Sequence, residues 1–550
     1  MSTEVVEIED FAALPSRAGY YPKVNQLVTS PDGRIFVTDQ EGYIYLVGED
    51  GKAVNEYLSV SRAIYSAGLD SLMSPFWNSE LGLQSIAFHP DFTKVGSAGY
   101  GRLYVVASVG SQNPEIVRGA DFTPGGGEHI HDNVLLEFRA ATPEAGTFVP
   151  AKPQEPFREL LRVEGPYANH PMGLAAFNPN AIAGSPDYGK LYVGLGDGGG
   201  GGDPLKLAQN RSKPYGKILR IDPLGTNGAN GRYGIPTDNP FIGVEGSLPE
   251  IWALGFRNPQ RFAWDRGGDG RMFIADIGER SVEEIDVGVP GANYGWGIRE
   301  GSFVYVNVEP LDPAAVVGEN ARSDSSITGF TYPIAEYDHD EGISITMGGV
   351  ARGNVPPALK GKLIFGDIAT GRVFALDPES WGGGPDAIRS LRLSINGVEK
   401  SFFQQIIGTP GLSHLTRADL RFGSDNTGRM FLLNKWDGII RVFTSSYVPA
   451  TPTPTPEMRL PHPPIVTGKK VIKSSVNRFQ LRGRVEKGCH AEFLVEGKKS
   501  YRKITGGANW KLVLRVPRGR TTIKFRAVDD TTGRRSRVMI FSVFKKQTSS

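Results

Sequence analysis

Short apolar runs bounded by glycine and polar residues recur along the first 450 residues of the chain, and six of them share one phrase. A glycine and a basic residue precede apolar and aromatic residues in Gly33-Arg-Ile-Phe-Val, Gly101-Arg-Leu-Tyr-Val, Gly189-Lys-Leu-Tyr-Val, Gly270-Arg-Met-Phe-Ile, Gly361-Lys-Leu-Ile-Phe and Gly428-Arg-Met-Phe-Leu. Glycine adopts φ > 0 at little cost, and β-branched and aromatic residues favour strands, so each copy predicts a turn feeding a buried strand. Six similar strand units along one chain predict an all-β fold, a six-bladed β-propeller. The copies lie 67 to 91 residues apart, beyond the roughly 40 to 50 residues of compact propeller repeats. Long loops are therefore expected between strands, and such loops tend to be functional. A ring gathers one set of loops around its axis, where the chemistry is expected.

The pattern changes after residue 447. Pro449-Ala-Thr-Pro-Thr-Pro-Thr-Pro predicts an extended, semi-rigid spacer over 448–462. Residues 463–550 then alternate apolar and polar in short stretches such as Ala491-Glu-Phe-Leu-Val and Thr522-Ile-Lys-Phe-Arg-Ala-Val, broken about every ten positions by turn residues. That spacing predicts a small immunoglobulin-like β-sandwich. At the other end, residues 1–20 read as a leader strand or a loosely held arm, which puts the propeller at 21–447.

Charge sharpens this division. The net charge of +2 conceals +17 over residues 451–550 and −15 over residues 1–450. The basic module is either a solvated surface or a means of attraction to an anionic partner: polysaccharide, lipid head groups or the acidic body itself. Its basic residues are scattered along every strand and form no stripe, which disfavours nucleic acid. Cys489 is the only cysteine, so there is no intrachain disulfide and no Cys-based metal site. No run of about 18 apolar residues predicts a transmembrane segment. The acidic start lacks the basic and apolar regions of a signal peptide.

Three stretches depart from ordinary strand and turn vocabulary. Asn169-His170-Pro-Met-Gly places a histidine at a loop-to-strand junction. Gly194-Leu-Gly-Asp197-Gly-Gly-Gly-Gly-Gly-Asp203 sets carboxylates in a glycine loop that a ligand can approach. Arg257-Asn258-Pro-Gln260 puts a cation and two amides between two apolar strands. Singly, each has a structural explanation, since an Asp in a Gly-rich turn usually caps its own backbone. Glu128-His129-Ile-His131-Asp132 sets two histidines at strand spacing on one face, either a partial metal site or a pocket-lining pair.

Together these stretches resemble the soluble pyrroloquinoline quinone (PQQ)-dependent sugar dehydrogenases, the glucose/sorbosone dehydrogenase family of six-bladed propellers. The resemblance extends over residues 21–445 through Glu80-Leu-Gly-Leu-Gln-Ser-Ile-Ala-Phe-His-Pro, Gly216-Lys-Ile-Leu-Arg-Ile-Asp-Pro, Ala275-Asp-Ile-Gly-Glu-Arg-Ser, Ala292-Asn-Tyr-Gly-Trp and Tyr332-Pro-Ile-Ala-Glu-Tyr-Asp-His-Asp-Glu-Gly. It implies that His170 takes the proton of the sugar C1 hydroxyl while hydride passes to the quinone. It also implies that Asp197 supports His170, and that Arg257, Asn258, Glu80 and His339 contact the cofactor. Calcium, a hard cation, would be held around Gly278, Glu279 and Glu283. The implied activity is PQQ- and calcium-dependent oxidation of an aldose at C1 to the lactone. Electrons would pass to an external acceptor outside the cytoplasmic membrane, after removal of a leader.

Two departures qualify the resemblance. His170 is followed by Pro-Met-Gly where relatives commonly carry Asn-Gly-Gly. The lysine and paired arginines that hold the quinone carboxylates have no lysine counterpart in Ile368-Ala-Thr-Gly or Leu415-Thr-Arg-Ala-Asp, leaving Arg352, Arg372, Arg417 or Arg421 as substitutes. The competing reading is a non-catalytic propeller that binds a protein or glycan at the cell surface.

Overall fold

All six glycine-led phrases fold as a turn into a strand. The six glycines share φ between +72° and +89°, a region that disfavours any residue with a Cβ. They lead into Ile35–Asp39, Arg102–Gly110, Leu191–Leu195, Met272–Asp276, Leu363–Asp367 and Met430–Leu433. The computed structural model describes residues 4–67, 71–73, 80–110, 119–305, 329–377 and 387–444, and in the C-terminal part 465–467, 471–472, 479–485, 489–495, 501–504, 509–514, 519–529 and 539–545.

Each of these strands is the second in an antiparallel run of four. The second run, for example, is Leu83–Phe88, Arg102–Gly110, His131–Arg139 and Phe157–Gly165. Its first strand is buried at every position, because both faces of the sheet are packed against neighbours. Apolar clusters fill the space between consecutive runs. Tyr104 and Leu161 of the second pack with Met172 and Leu191 of the third, and Trp252 of the third packs with Phe262 and Ile274 of the fourth. A further cluster joins Phe431 and Leu433 of the sixth run to Val24, Val37 and Tyr45 of the first. Side chains link the innermost strands where backbones diverge. Gln26 of the first run donates to Ile86 O and accepts from Ile86 N, and Ser85 of the second bridges Gly173 O and Ala175 N of the third.

The N-terminal segment is not a loose arm. Val5–Ala13 is the outer strand of the sixth run, antiparallel to Ile439–Thr444 and parallel to Ile388–Ile395 of the fifth. Val6 and Ile8 are buried between these strands. The physical reason is edge pairing: Ile439–Thr444 would otherwise present unpaired N–H and C=O groups, and the alternating Val-Val-Glu-Ile-Glu stretch supplies a partner.

The chain divides into two compact units, 1–448 and 449–550. In the second, the described strands form a three-stranded and a five-stranded sheet. Its core holds Leu481, Phe493, Trp510, Ile523 and Phe525, with Cys489 buried beside them. The Pro/Thr spacer lies outside the described residues. Among the described residues, no helix is long and apolar enough to cross a membrane.

Candidate active site

The loops that enter the first strand of each run, and the turns that leave the second, lie at one edge of the sheets. Side chains from five of the six runs meet there around a cavity of about 260 Å³, lined by Glu80, His170, Arg257, Asn258, Gly278 and Glu279 among others. Six of the nine residues singled out by resemblance therefore share one wall, although they lie up to 199 positions apart in the sequence.

His170 is held from three sides. Its backbone sits at φ +55°, a conformation that costs a non-glycine residue roughly 1 kcal/mol or more. The Glu80 carboxylate accepts the His170 N–H at 2.8 Å, which fixes that strained backbone. Nδ1 of the ring lies 2.6 Å from Asp197 Oδ1. Asp197 is buried, and its other oxygen accepts from Trp296 Nε1 at 2.7 Å while Oδ1 also accepts the Gly199 N–H at 2.9 Å. Burial would raise the Asp197 pKa, but His170, Arg257 and the Gly199 N–H outweigh it and hold the carboxyl below its ordinary value. An ionised Asp197 accepts a hydrogen bond from Nδ1–H, which leaves the lone pair of His170 on Nε2.

The glycine loop exists to permit this contact. Gly198 to Gly202 all have positive φ. A Cβ at Gly196 would stand 2.7 Å from both Cβ and O of His170, closer than real contacts allow. Removing the side chain lets the Asp197 strand pass against the histidine.

Arg257 and Asn258 are set by Asp276, whose carboxylate accepts both their backbone N–H groups, at 2.9 and 2.7 Å. Arg257 Nη1 donates to the carbonyls of Ile277 and Gly278 at 3.1 and 2.7 Å, and the guanidinium lies 5.5 Å from the centre of the Trp296 ring. Arg257 Nε, Asn258 Oδ1 and Gln260 Oε1 are buried without a protein hydrogen-bond partner. Orphaned polar atoms on the wall of a cavity mark a place where a polar ligand would complete the bonding.

Two predicted residues lie elsewhere. Glu283 has no exposed surface: Oε1 is 3.0 Å from His339 Nε2, and Oε2 accepts the N–H groups of Ile345 and Gly278. His339 and Glu283 thus pair with one another and are not among the cavity-lining residues. The period of two explains it: Glu283 points to the face of its strand that packs on the fifth run, away from the axis. The paired histidines also separate. His131 is buried, and Gly165 leaves room for its ring; burial drives its pKa down to about 4. His129 sits at φ +48° before the strand begins, with Nε2 3.1 Å from Asp132. Because His129 is itself left-handed and lies before the strand, the strand periodicity on which a shared face depends does not extend to it. Among the described residues, no cluster of three or more His, Cys, Asp or Glu side chains is arranged to hold a metal.

The resemblance singled out no lysine, yet one, Lys435, reaches the site. It lines the cavity together with Arg417 and Arg421. It follows the last glycine-led strand at an offset of seven from Gly428, much as Asp197 follows Gly189 at eight and Asp276 follows Gly270 at six. A buried polar residue at that offset was the available sequence signal. Burial, with Arg421 and Arg261 nearby, pushes the Lys435 pKa well below the ordinary lysine value, against Asp419 and Glu80.

The glucose/sorbosone dehydrogenase family model matches residues 175–387. The HIPL2 protein of Arabidopsis thaliana is 29% identical over 453 residues, 76% of this chain and 61% of that protein. The Hedgehog-interacting protein of Mus musculus is 28% identical over 242 residues, 44% of this chain and 30% of that protein. Quinoprotein glucose dehydrogenase B of Acinetobacter calcoaceticus is 25% identical over 306 residues, 52% of this chain and 53% of that protein. Each match spans less than two thirds of the relative's own length. A crystal structure of glucose dehydrogenase covers 80% of this chain and 99% of its own at a TM-score of 0.53 and 20% identity, a likeness of fold. The resemblance read from the motifs holds. Residues 175–387 match the glucose/sorbosone dehydrogenase family model, and the all-β, propeller-like fold is similar to that of a glucose dehydrogenase.

Proposed function

We propose that this protein is a PQQ-dependent aldose dehydrogenase that oxidises a sugar at C1 to the lactone and passes the electrons to an external acceptor. One observation carries the reading: a histidine whose Nδ1 is committed to a buried carboxylate shares a cavity with Arg257, Asn258 and three further cations. The chain's own residues divide the work. His170 Nε2 takes the C1 hydroxyl proton, and Asp197 stabilises the imidazolium that forms. Arg257 stabilises negative charge developing across the cavity. Trp296, bonded to Asp197 and beneath the Arg257 guanidinium, keeps both groups in register.

The donor set fits PQQ, a planar quinone bearing carboxylates: Arg417, Arg421 and Lys435 would hold its acidic groups, and Asn258 and Gln260 its polar edge. Bound, it would supply the two-electron acceptor for the C1 hydride. Calcium fits less well, because the Ile277 and Gly278 carbonyls already accept from the Arg257 guanidinium. A cation there would have to displace a cation, so calcium enters as a titrant and not as a participant.

The six four-stranded runs are read as the blades of a propeller, and residues 463–550 as an immunoglobulin-like module joined through 448–462. We place the protein outside the cytoplasm, with the basic module held to anionic polysaccharide or another cell-surface partner. The named relative that interacts with Hedgehog supports a second reading, a non-catalytic propeller that binds a protein or glycan. The test is a titration of apoprotein with PQQ, with and without calcium, followed by dye reduction over a panel of aldoses. Sugar-dependent reduction lost in His170→Ala supports the enzyme. Quinone binding without turnover above that variant supports the second reading.

A further inference from the structure

Arg261 opens the innermost strand of the fourth run, Arg261–Trp264, and its side chain reaches across the ring of runs. Nη1 donates to Gln260 O at 2.9 Å. Nη2 lies 3.3 Å from each of Asn25 O and Oδ1 in the first run and Gln84 O in the second. All four acceptors are neutral, and among the described residues Arg261 makes no salt bridge, although it is only 7% exposed. A guanidinium has five N–H donors, and these bonds use neither Nε nor the second hydrogen of Nη1. Burial lowers the Arg261 pKa to about 9, with Arg421 adding repulsion.

Arg261 lines a second cavity, of about 420 Å³, and not the one that holds His170. The two lie at opposite ends of the innermost strands. His170 and Asn258, which precede such strands, line the first; Phe177, Trp264 and Val350, which end them, line the second. Val28, Phe177, Trp264 and Val350 are only half-buried, so their apolar surface faces the recess. An adjoining cavity of about 350 Å³ shares Val28, Phe177, Arg266 and Asn426 with it. Arg266 is exposed there and donates to Asn426 Oδ1 at 3.0 Å. The carboxylate in the wall, Asp425, is engaged by Arg429 at 2.6 Å.

We propose that this recess is a second binding site, which takes an amphipathic carboxylate with its acidic group on Arg261 and its alkyl or aryl body along Phe177, Trp264 and Val350. A buried guanidinium bonded only to neutral groups gains most from a charge-assisted bond to a carboxylate. Half-buried apolar side chains around a concave wall gain from an apolar body. A neutral sugar would meet neither requirement, because it leaves the cation without a counter-charge and sets hydroxyls against apolar walls. The proposal does not depend on what occupies the cavity at His170.

The test measures binding of octanoate, octanol, acetate and phosphate to the full chain, by calorimetry and by tryptophan fluorescence with Trp264→Phe as the control. Octanoate should bind at least tenfold more tightly than the other three and change an emission that Trp264→Phe lacks. Arg261→Gln should weaken octanoate at least tenfold while changing octanol less than threefold. Arg261→Lys keeps the charge and loses the fork, and should recover part of that loss. Ala176→Trp fills the recess from the third run without removing a bond of Arg261. It should abolish binding of octanoate and octanol alike, and it decides the matter if Arg261→Gln does not fold. His170→Ala should bind octanoate as the wild type does. Octanoate no tighter than octanol, acetate or phosphate overturns the proposal, as does an affinity unchanged in Arg261→Gln or in Ala176→Trp, or lost in His170→Ala. If octanoate binds in this way while PQQ does not bind, the quinone reading fails and this site stands.

Discussion

Replacing Asp197 by asparagine tests the catalytic reading at its narrowest point. The two side chains have nearly the same shape, so the cavity should survive and only the chemistry of the support should change. Asp197 accepts from three donors: His170 Nδ1 at 2.6 Å, the Gly199 N–H at 2.9 Å and Trp296 Nε1 at 2.7 Å. Asparagine has one acceptor atom. Its oxygen toward His170 and Gly199 leaves its amide facing the Trp296 N–H. Its oxygen toward Trp296 leaves its amide facing the Gly199 N–H and forces His170 into the tautomer whose Nε2 is already protonated. Either way a buried donor loses its partner, at about 1–3 kcal/mol, and the charge-assisted bond to His170, about 1.5–3 kcal/mol, is lost. If the second quantity falls on the transition state, kcat should drop about ten- to 150-fold, at 1.36 kcal/mol per decade. KM should move little, because no contact to the sugar is removed. The assay is dye-linked oxidation at saturating PQQ. Nitrogen-15 shifts of the His170 ring give an independent view, with Nδ1 protonated in the wild type. A kcat within threefold of wild type, together with an unchanged tautomer, would refute the role of Asp197.

Three further outcomes follow from other parts of the molecule. Gly196→Ala should lower both stability and dye reduction, because the new methyl meets His170 backbone and Cβ at 2.7 Å; comparable melting temperature and kcat would count against the close-approach argument. Deleting residues 1–14 should destabilise the N-terminal unit by several kcal/mol, of which burial of Val6 and Ile8 alone accounts for about 3 kcal/mol; denaturant midpoints of the full and truncated chains measure it. Because Arg261 and Arg421 have pKa values lowered to about 9 and 10, the unfolded chain binds more protons than the native one above those values. Stability without an anionic ligand should therefore rise with pH from about 8 to about 9.5, before the tyrosines of the unfolded chain ionise. Urea unfolding across that range, in wild type and Arg261→Gln, should show a smaller slope in the variant.

The repeated glycine phrase was legible because it is local: a residue without a Cβ at positive φ, followed by residues that favour strands, needs no knowledge of the rest of the chain. Six copies implied six similar units, and the motifs between them named His170, Asp197, Arg257 and Asn258. Glu283 and His339 were also near the right loops, but one position along a strand turns a side chain to the opposite face, so sequence proximity did not place them in the cavity. Lys435 shows the converse. Nothing beside it suggests a ligand, and it becomes part of the site because the sixth run closes beside the first.

By itself the sequence determined the strand units, the two-part division of charge and the residue types that chemistry near a sugar hydroxyl requires. Only the tertiary structure decided which of those residues face one cavity, that Val5–Ala13 completes the sixth sheet, and that Arg421 and Lys435 join His170 at that cavity. The reason is that a strand's conformation depends on its neighbours in the chain, whereas burial and electrostatic balance depend on neighbours in space, and those come from residues as far apart as Asn25 and Arg261.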